Sequence, residues 1–264
     1  MKKIKEYVNV LLYPILLILI EFSLIFVFTI IFSLNTNLEV GTVLYQEKLN
    51  LFLSNYKLLI VIITSFILLP LILKKVKISI KNITKNNLII YIMIGICIGL
   101  SYNLLLCCIN KMVYFTNLYD YVNKNILITL LTTGILGPIL EEFVFRGVVY
   151  EKLKKFNKKS TSLLITGMLF GLFHGNIIQF VYAFLLNFIL IKSYEKEKSI
   201  LAPILIHVSA NSVTTLLLNF IIQINIFSTI ILFLIFLIVL IVLLKNVYKE
   251  NNNGYDNSVN ECWR

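Results

Sequence analysis

VNVLLYPILLILIEFSLIFVFTIIFSL, residues 8–34, holds one charged side chain, Glu21, in a run otherwise built almost wholly of aliphatic and aromatic residues. A bilayer-spanning helix needs about 20 consecutive apolar residues, so this stretch crosses a membrane by itself. The residues before it, MKKIKEY, look like the charged start of a signal peptide. The apolar run is too long for a signal core and lacks a small-residue cleavage site, so we read it as a retained first span.

The same character extends outward along the chain. Its 264 residues are 59% hydrophobic with a mean hydropathy of +0.90, against about 45–50% apolar residues for a soluble domain. The ~10-residue alternation of an outer-membrane barrel is absent. The expected fold is all-α, a polytopic membrane bundle of about eight helices. Spans are predicted at 8–34, 56–73, 88–109, 125–151, 161–177, 178–192, 200–220 and 222–244. Residues 1–250 form one bundle in this reading, and 251–264 a polar, Asn-rich, disordered cytoplasmic tail. The segment 35–57 is mixed in character and suits the membrane interface.

Charge placement sets the orientation. The net charge is +11, which in isolation suggests a nucleic-acid partner, but the cations are sorted by loop. With both termini inside, 19 of the 24 Lys and Arg fall on cytoplasmic segments, among them the Lys74–Lys85 and Lys152–Lys159 runs. Lys48, Lys57, Lys111 and Lys124 fall outside, and Arg146 lies within a span. That is the positive-inside pattern; the expected surface partner is the lipid bilayer, with no nucleic acid. Three of the four cysteines, Cys97, Cys107 and Cys108, share one predicted span, where the thiol acts as a small apolar filler. The fourth is Cys262.

Ionisable groups inside spans are costly and mark function, and here they cluster in three stretches. GPILEEFVFRGVVYEKL (137–153) carries Glu141, Glu142 and Arg146. Glu142 and Arg146 are four apart and share a helix face in the favourable acid-first order. Glu141 is turned about 100° away, so one carboxylate can be tied in an ion pair while the other faces a cavity as a base. MLFGLFHGN (168–176) places Phe170 and His174 four apart, and ILAPILIHVSANSV (200–213) does the same for His207 and Asn211. Alone, each such pair is ordinary interhelical glue. At 1.5 Å rise per residue, Glu141, His174, His207 and Asn211 lie roughly 12–21 Å from the cytoplasmic boundary, so three helices bring them to similar depth. Gly137-Pro138, just before the acidic pair, is expected to break the fourth helix and widen the cavity. Glu21 is either a cavity-facing accessory carboxylate or a partner-satisfied structural one.

The ordered triplet EEFVFRG, FGLFHG, SILAPILIHVSAN resembles the CPBP family of intramembrane proteases (CAAX proteases and bacteriocin-processing enzymes, also called the Abi family). The resemblance covers about Ile135 to Val213, within a core at about 125–220. It implies an eight-helix bundle with a site opening to the cytoplasm. Glu141 and His174 would activate water, His207 and Asn211 would stabilise the oxyanion, Glu142 and Arg146 would hold the geometry, and Phe170 would line or brace the cavity. It implies an endopeptidase acting on a membrane-associated peptide or protein, in settings such as bacteriocin maturation or self-immunity. Together with Lys-, Ile- and Asn-rich usage, it implies a bacterial cytoplasmic membrane.

Zinc or another divalent metal is left open. Glu141, His174 and His207 would make a His₂Glu set with one open position, although no H-E-x-x-H pattern is present, and a metal-free glutamate mechanism uses the same residues. Two readings from other classes stand beside the protease. One is a proton-coupled transporter with these groups as a relay, against which the confinement of the polar set to 141–211 counts. The other is a catalytically idle immunity or scaffold protein.

Overall fold

A computed structural model describes residues 2–113 and 125–249. Among these residues it contains eight helical rods and no strand: α1 (Lys2–Leu34), α2 (Val43–Lys75), α3 (Lys85–Val113), α4 (Ile126–Leu153), α5 (Lys159–Phe173), α6 (Ile177–Glu197), α7 (Leu201–Gln223) and α8 (Ile226–Lys249). Six are long and apolar enough to span a membrane, and α5 and the apolar part of α7, Leu201–Leu217, are shorter. The chain is a multi-pass membrane protein. The expected tail 251–264 and Cys262 lie outside the described residues; Cys97, Cys107 and Cys108 are free and buried.

Local chemistry fixes the helix ends. Asn125 and Asn176 side chains accept the backbone N–H of Ile128 (3.2 Å) and Gln179 (2.9 Å), relieving donors that a helix start leaves unpaired. Gly175, at φ +71, makes the tight turn between α5 and α6, a left-handed conformation open to glycine. His174 therefore caps the end of α5 rather than sitting within a span to 177. The segment 35–57 departs further from expectation. Thr42 caps a helix that begins at Val43, and Tyr45 packs its ring against Phe32 while its hydroxyl meets Ser33 at 2.6 Å. These contacts pull 43–55 into α2, so Lys57 lies well inside a helix instead of in an outer loop.

The elements that carry the polar groups pack most tightly. A Cβ built on Gly95 or Gly99 of α3 would collide with the backbone carbonyls of Ile206 and Ala210 on α7. The two helices thus approach through a small-x-x-x-small stripe, which sets α7 against the centre of the bundle. The extended segment after α2 locks the start of α7: Ile200 N–H donates to Ser79 O (3.0 Å), and Ser199 Oγ donates to Lys81 O (2.8 Å). One apolar cluster runs from Leu17 and Leu68 through Ile94, Phe145, Phe170, Leu190 and Ile206 to Leu240. On the periphery, α1 and α8 present Phe22, Phe26 and Ile238 outward, as lipid-facing rods do.

Candidate active site

The fourth helix does not break at Gly137-Pro138. It loosens. Residues Leu130–Leu136 and Phe143–Tyr150 are π-helical, with α-helical Gly137–Glu142 between them. The Gly137 N–H reaches back five residues to Thr132 O. Pro138 has no N–H to offer Thr133 O or Gly134 O. Side chains of α7 take over, Asn211 Nδ2 donating to Thr133 O and Ser212 Oγ to Gly134 O, each at 3.2 Å. π-Helical segments are rare and often found at functional sites, and these two flank the acidic pair.

Glu142 and Arg146 are both fully enclosed and paired at 2.8 Å through Glu142 Oε1 and one terminal guanidinium nitrogen. A buried ion pair survives only with further hydrogen bonds. Glu142 Oε1 also meets His207 Nδ1 at 2.7 Å, and the other terminal nitrogen of Arg146 donates to Asn187 Oδ1 at 3.3 Å. The guanidinium lies 4.3 Å above the Phe170 ring, a cation–π arrangement. Because the carboxylate paired with Arg146 is ionised, Nδ1 of His207 must carry the proton it shares. Nε2 then faces the other way, 3.8 Å from Glu141 Oε2. Glu141 keeps 17% of its side chain exposed, whereas Glu142 keeps none.

His174 is half-buried and hydrogen-bonded through Nδ1 to Phe170 O at 2.8 Å, its ring edge-on to Phe170. Phe170 is edge-on to His207 as well, 5.7 Å between ring centres, so one aromatic ring touches both imidazoles. Glu141, Glu142, Arg146, Phe170 and His207 thus form one contiguous group. Asn211 stands a turn beyond His207 on α7. His174 joins through Phe170; no hydrogen bond or ion pair links it to Glu141.

The residues do not fit a metal centre. Among the described residues no three His, Cys, Asp or Glu side chains are gathered closely enough to hold an ion, and the Nδ1 of His174 is engaged by Phe170 O rather than turned to Glu141 or His207. The residue missing from the motif reading is Asn187 on α6. Its amide also donates to Leu163 O at 3.1 Å. The signal for it in the sequence was a lone amide inside the apolar run FLLNFIL.

Comparison with known proteins agrees with the motifs. A model of the type II CAAX prenyl endopeptidase Rce1-like family matches residues 123–213. The Bacillus subtilis (strain 168) protein named "Putative membrane peptidase YdiL" is 28% identical over 83 residues, which cover 31% of this chain and 34% of that protein. No solved structure matches. The matched segment runs from the start of α4 to α7 and contains all three motifs; over that segment the chain is similar to the Rce1-like CAAX prenyl endopeptidases.

Proposed function

We propose that the protein is an intramembrane endopeptidase of the bacterial cytoplasmic membrane, both termini cytoplasmic, hydrolysing a peptide bond in a membrane-associated peptide or protein. The observation that carries this is the relay across two helices. Arg146 holds Glu142, Glu142 holds His207 by Nδ1, and His207 turns Nε2 toward the partly exposed Glu141. A carboxylate and an imidazole nitrogen thereby converge on one space with their orientations fixed, as a water-activating site requires.

In this reading Glu141 takes a proton from water as its oxygen attacks the scissile carbonyl carbon. The carbonyl π pair moves onto oxygen, and that oxyanion accepts hydrogen bonds from Asn211 Nδ2 and from Nε2–H of His207, which in this step carries a second proton besides the Nδ1–H given to Glu142. Collapse breaks the C–N bond, and the proton on Glu141 passes to the leaving nitrogen. His174, by its motif position, orients the water with Glu141; catalytic hydrogen bonds often tighten only when substrate binds. Bacteriocin maturation or self-immunity is the setting we favour.

The test is mass spectrometry of membrane peptides from cells carrying wild type or Glu141→Ala. A peptide that accumulates uncut in the variant, and is cut by purified wild type in a chelator, supports the reading. Proton flux in proteoliposomes with no cleavage would replace it with a transporter.

A further inference from the structure

Asn187 sits in the middle of α6, wholly enclosed, where an amide needs both its donor and its acceptor matched. Both are. Its Oδ1 accepts from Arg146 on α4, and its Nδ2 donates to Leu163 O on α5. The surroundings are shaped for it, since a Cβ on Gly167 would stand 2.9 Å from Nδ2.

The Arg146 pairing shows what the amide does. A guanidinium beside a carboxylate ordinarily forms a two-pronged fork, one N–H to each oxygen. Here only one prong reaches Glu142, and it reaches Oε1; the second terminal nitrogen is occupied by Asn187, and Glu142 Oε2 has no partner among the described residues. Oε1 is also the oxygen that receives His207 Nδ1–H. We infer that Asn187 is a positioning residue for the reaction proposed above: by holding back one prong of Arg146 it prevents the fork, keeps Glu142 Oε1 aimed at His207, and so fixes which ring nitrogen faces Glu141. Without Asn187 the freed prong can swing to Oε2, and the carboxylate turns away from the imidazole. The inference rests on the protease reading for its kinetic consequence, but not for its effect on His207.

The experiment compares wild type, Asn187→Leu and Asn187→Asp in the full chain, with two readouts. Nitrogen-15 spectra of the imidazoles come first; only two histidines are present, so His174→Gln assigns them. Wild type should show His207 as a single form with the proton on Nδ1, Asn187→Leu a mixture, and Asn187→Asp, which keeps an acceptor for Arg146, the wild-type form. Turnover comes second. Asn187→Leu should lower kcat about 10–100-fold, the scale of one lost hydrogen bond to a charged group, with KM within about twofold, and should cost little further once Arg146→Lys is present. An unchanged His207 spectrum with undiminished kcat would overturn the inference, as would a loss confined to KM. If Asn187→Leu does not accumulate in the membrane, the aspartate variant decides: a mixed His207 signal there overturns it. A wild type that cleaves nothing sinks the protease reading instead, and the spectra still settle the role of Asn187.

Discussion

Helices α1 and α4 begin from the same ingredients. Each is a long apolar rod interrupted by a proline and by carboxylate: Pro14 and Glu21 in α1, Pro138 with Glu141 and Glu142 in α4. Yet α1 runs as α-helix through its proline with most of its length turned outward, while α4 carries two π segments and encloses an ion pair. Proline alone does not remodel a helix. What distinguishes α4 is a neighbour, α7, whose Asn211 and Ser212 satisfy the carbonyls that Pro138 strands, and whose His207 satisfies Glu142. The active-site candidate is a pair of helices that complete each other's hydrogen bonding through an amide, a hydroxyl and an imidazole; on α1 the carbonyl five residues before Pro14, Asn9 O, takes a 3.3 Å bond from the Lys152 ammonium near the helix end.

The largest expected effect separates the two helices by their acids. Glu141→Gln should lower kcat by about 10²–10⁴-fold, the range for loss of a general base. Glu21→Gln, half-buried on α1, should leave kcat within about threefold. Both are measured on one peptide substrate. Comparable losses would erase the functional distinction between the rods and place Glu21 in the machinery.

Next comes stability. Arg146→Met leaves Glu142 buried without its cation, a change that costs about 3–5 kcal/mol when one member of an enclosed pair is removed. Adding Glu142→Gln removes the stranded charge and should recover part of the loss. Phe26→Ala on the exposed face of α1 should cost less than about 0.5 kcal/mol. Unfolding titrations in detergent micelles check all three. A double variant no better than Arg146→Met would mean that the pair is not what holds α4 and α7 together.

The same contrast explains what could be read in the sequence. Helical periodicity put Glu142 with Arg146 and turned Glu141 aside, because a three- or four-residue spacing dictates a shared face wherever the helix is near-regular. The span count was legible for the same reason, as bilayer thickness sets a length that hydropathy reveals. Asn187 was not singled out, because one amide in an apolar helix looks the same whether it glues two rods or steers an arginine; only its partners tell. The π segments were hidden because they depend on donors from another helix. Gly137-Pro138 marked the right place, but a break and a loosened turn look alike until Asn211 and Ser212 are seen to fill the gap. The start of α2 was missed because Tyr45 is fixed by α1, far back in the chain.

The smallest effect bears most directly on that loosening. Pro138→Ala restores an N–H within reach of Gly134 O, and a regular α-helical bond there would compete with Ser212 and slide the turn that presents Thr133 O to Asn211. A net hydrogen bond is worth about 1 kcal/mol, so Asn211 should be displaced in part rather than freed. One such increment in the barrier corresponds to about a fivefold fall in kcat. Stability should stay within about 1 kcal/mol of wild type, because a backbone bond is gained as a side-chain bond is lost. Pro14→Ala in α1, with no acidic pair beside it and no catalytic group on its helix, should leave kcat unchanged. The informative control is Asn211→Ala. If the proline acts through that amide, replacing Pro138 in the Asn211→Ala background should have no further effect on turnover, and a full fivefold loss there would show instead that the π turn serves the carboxylates directly.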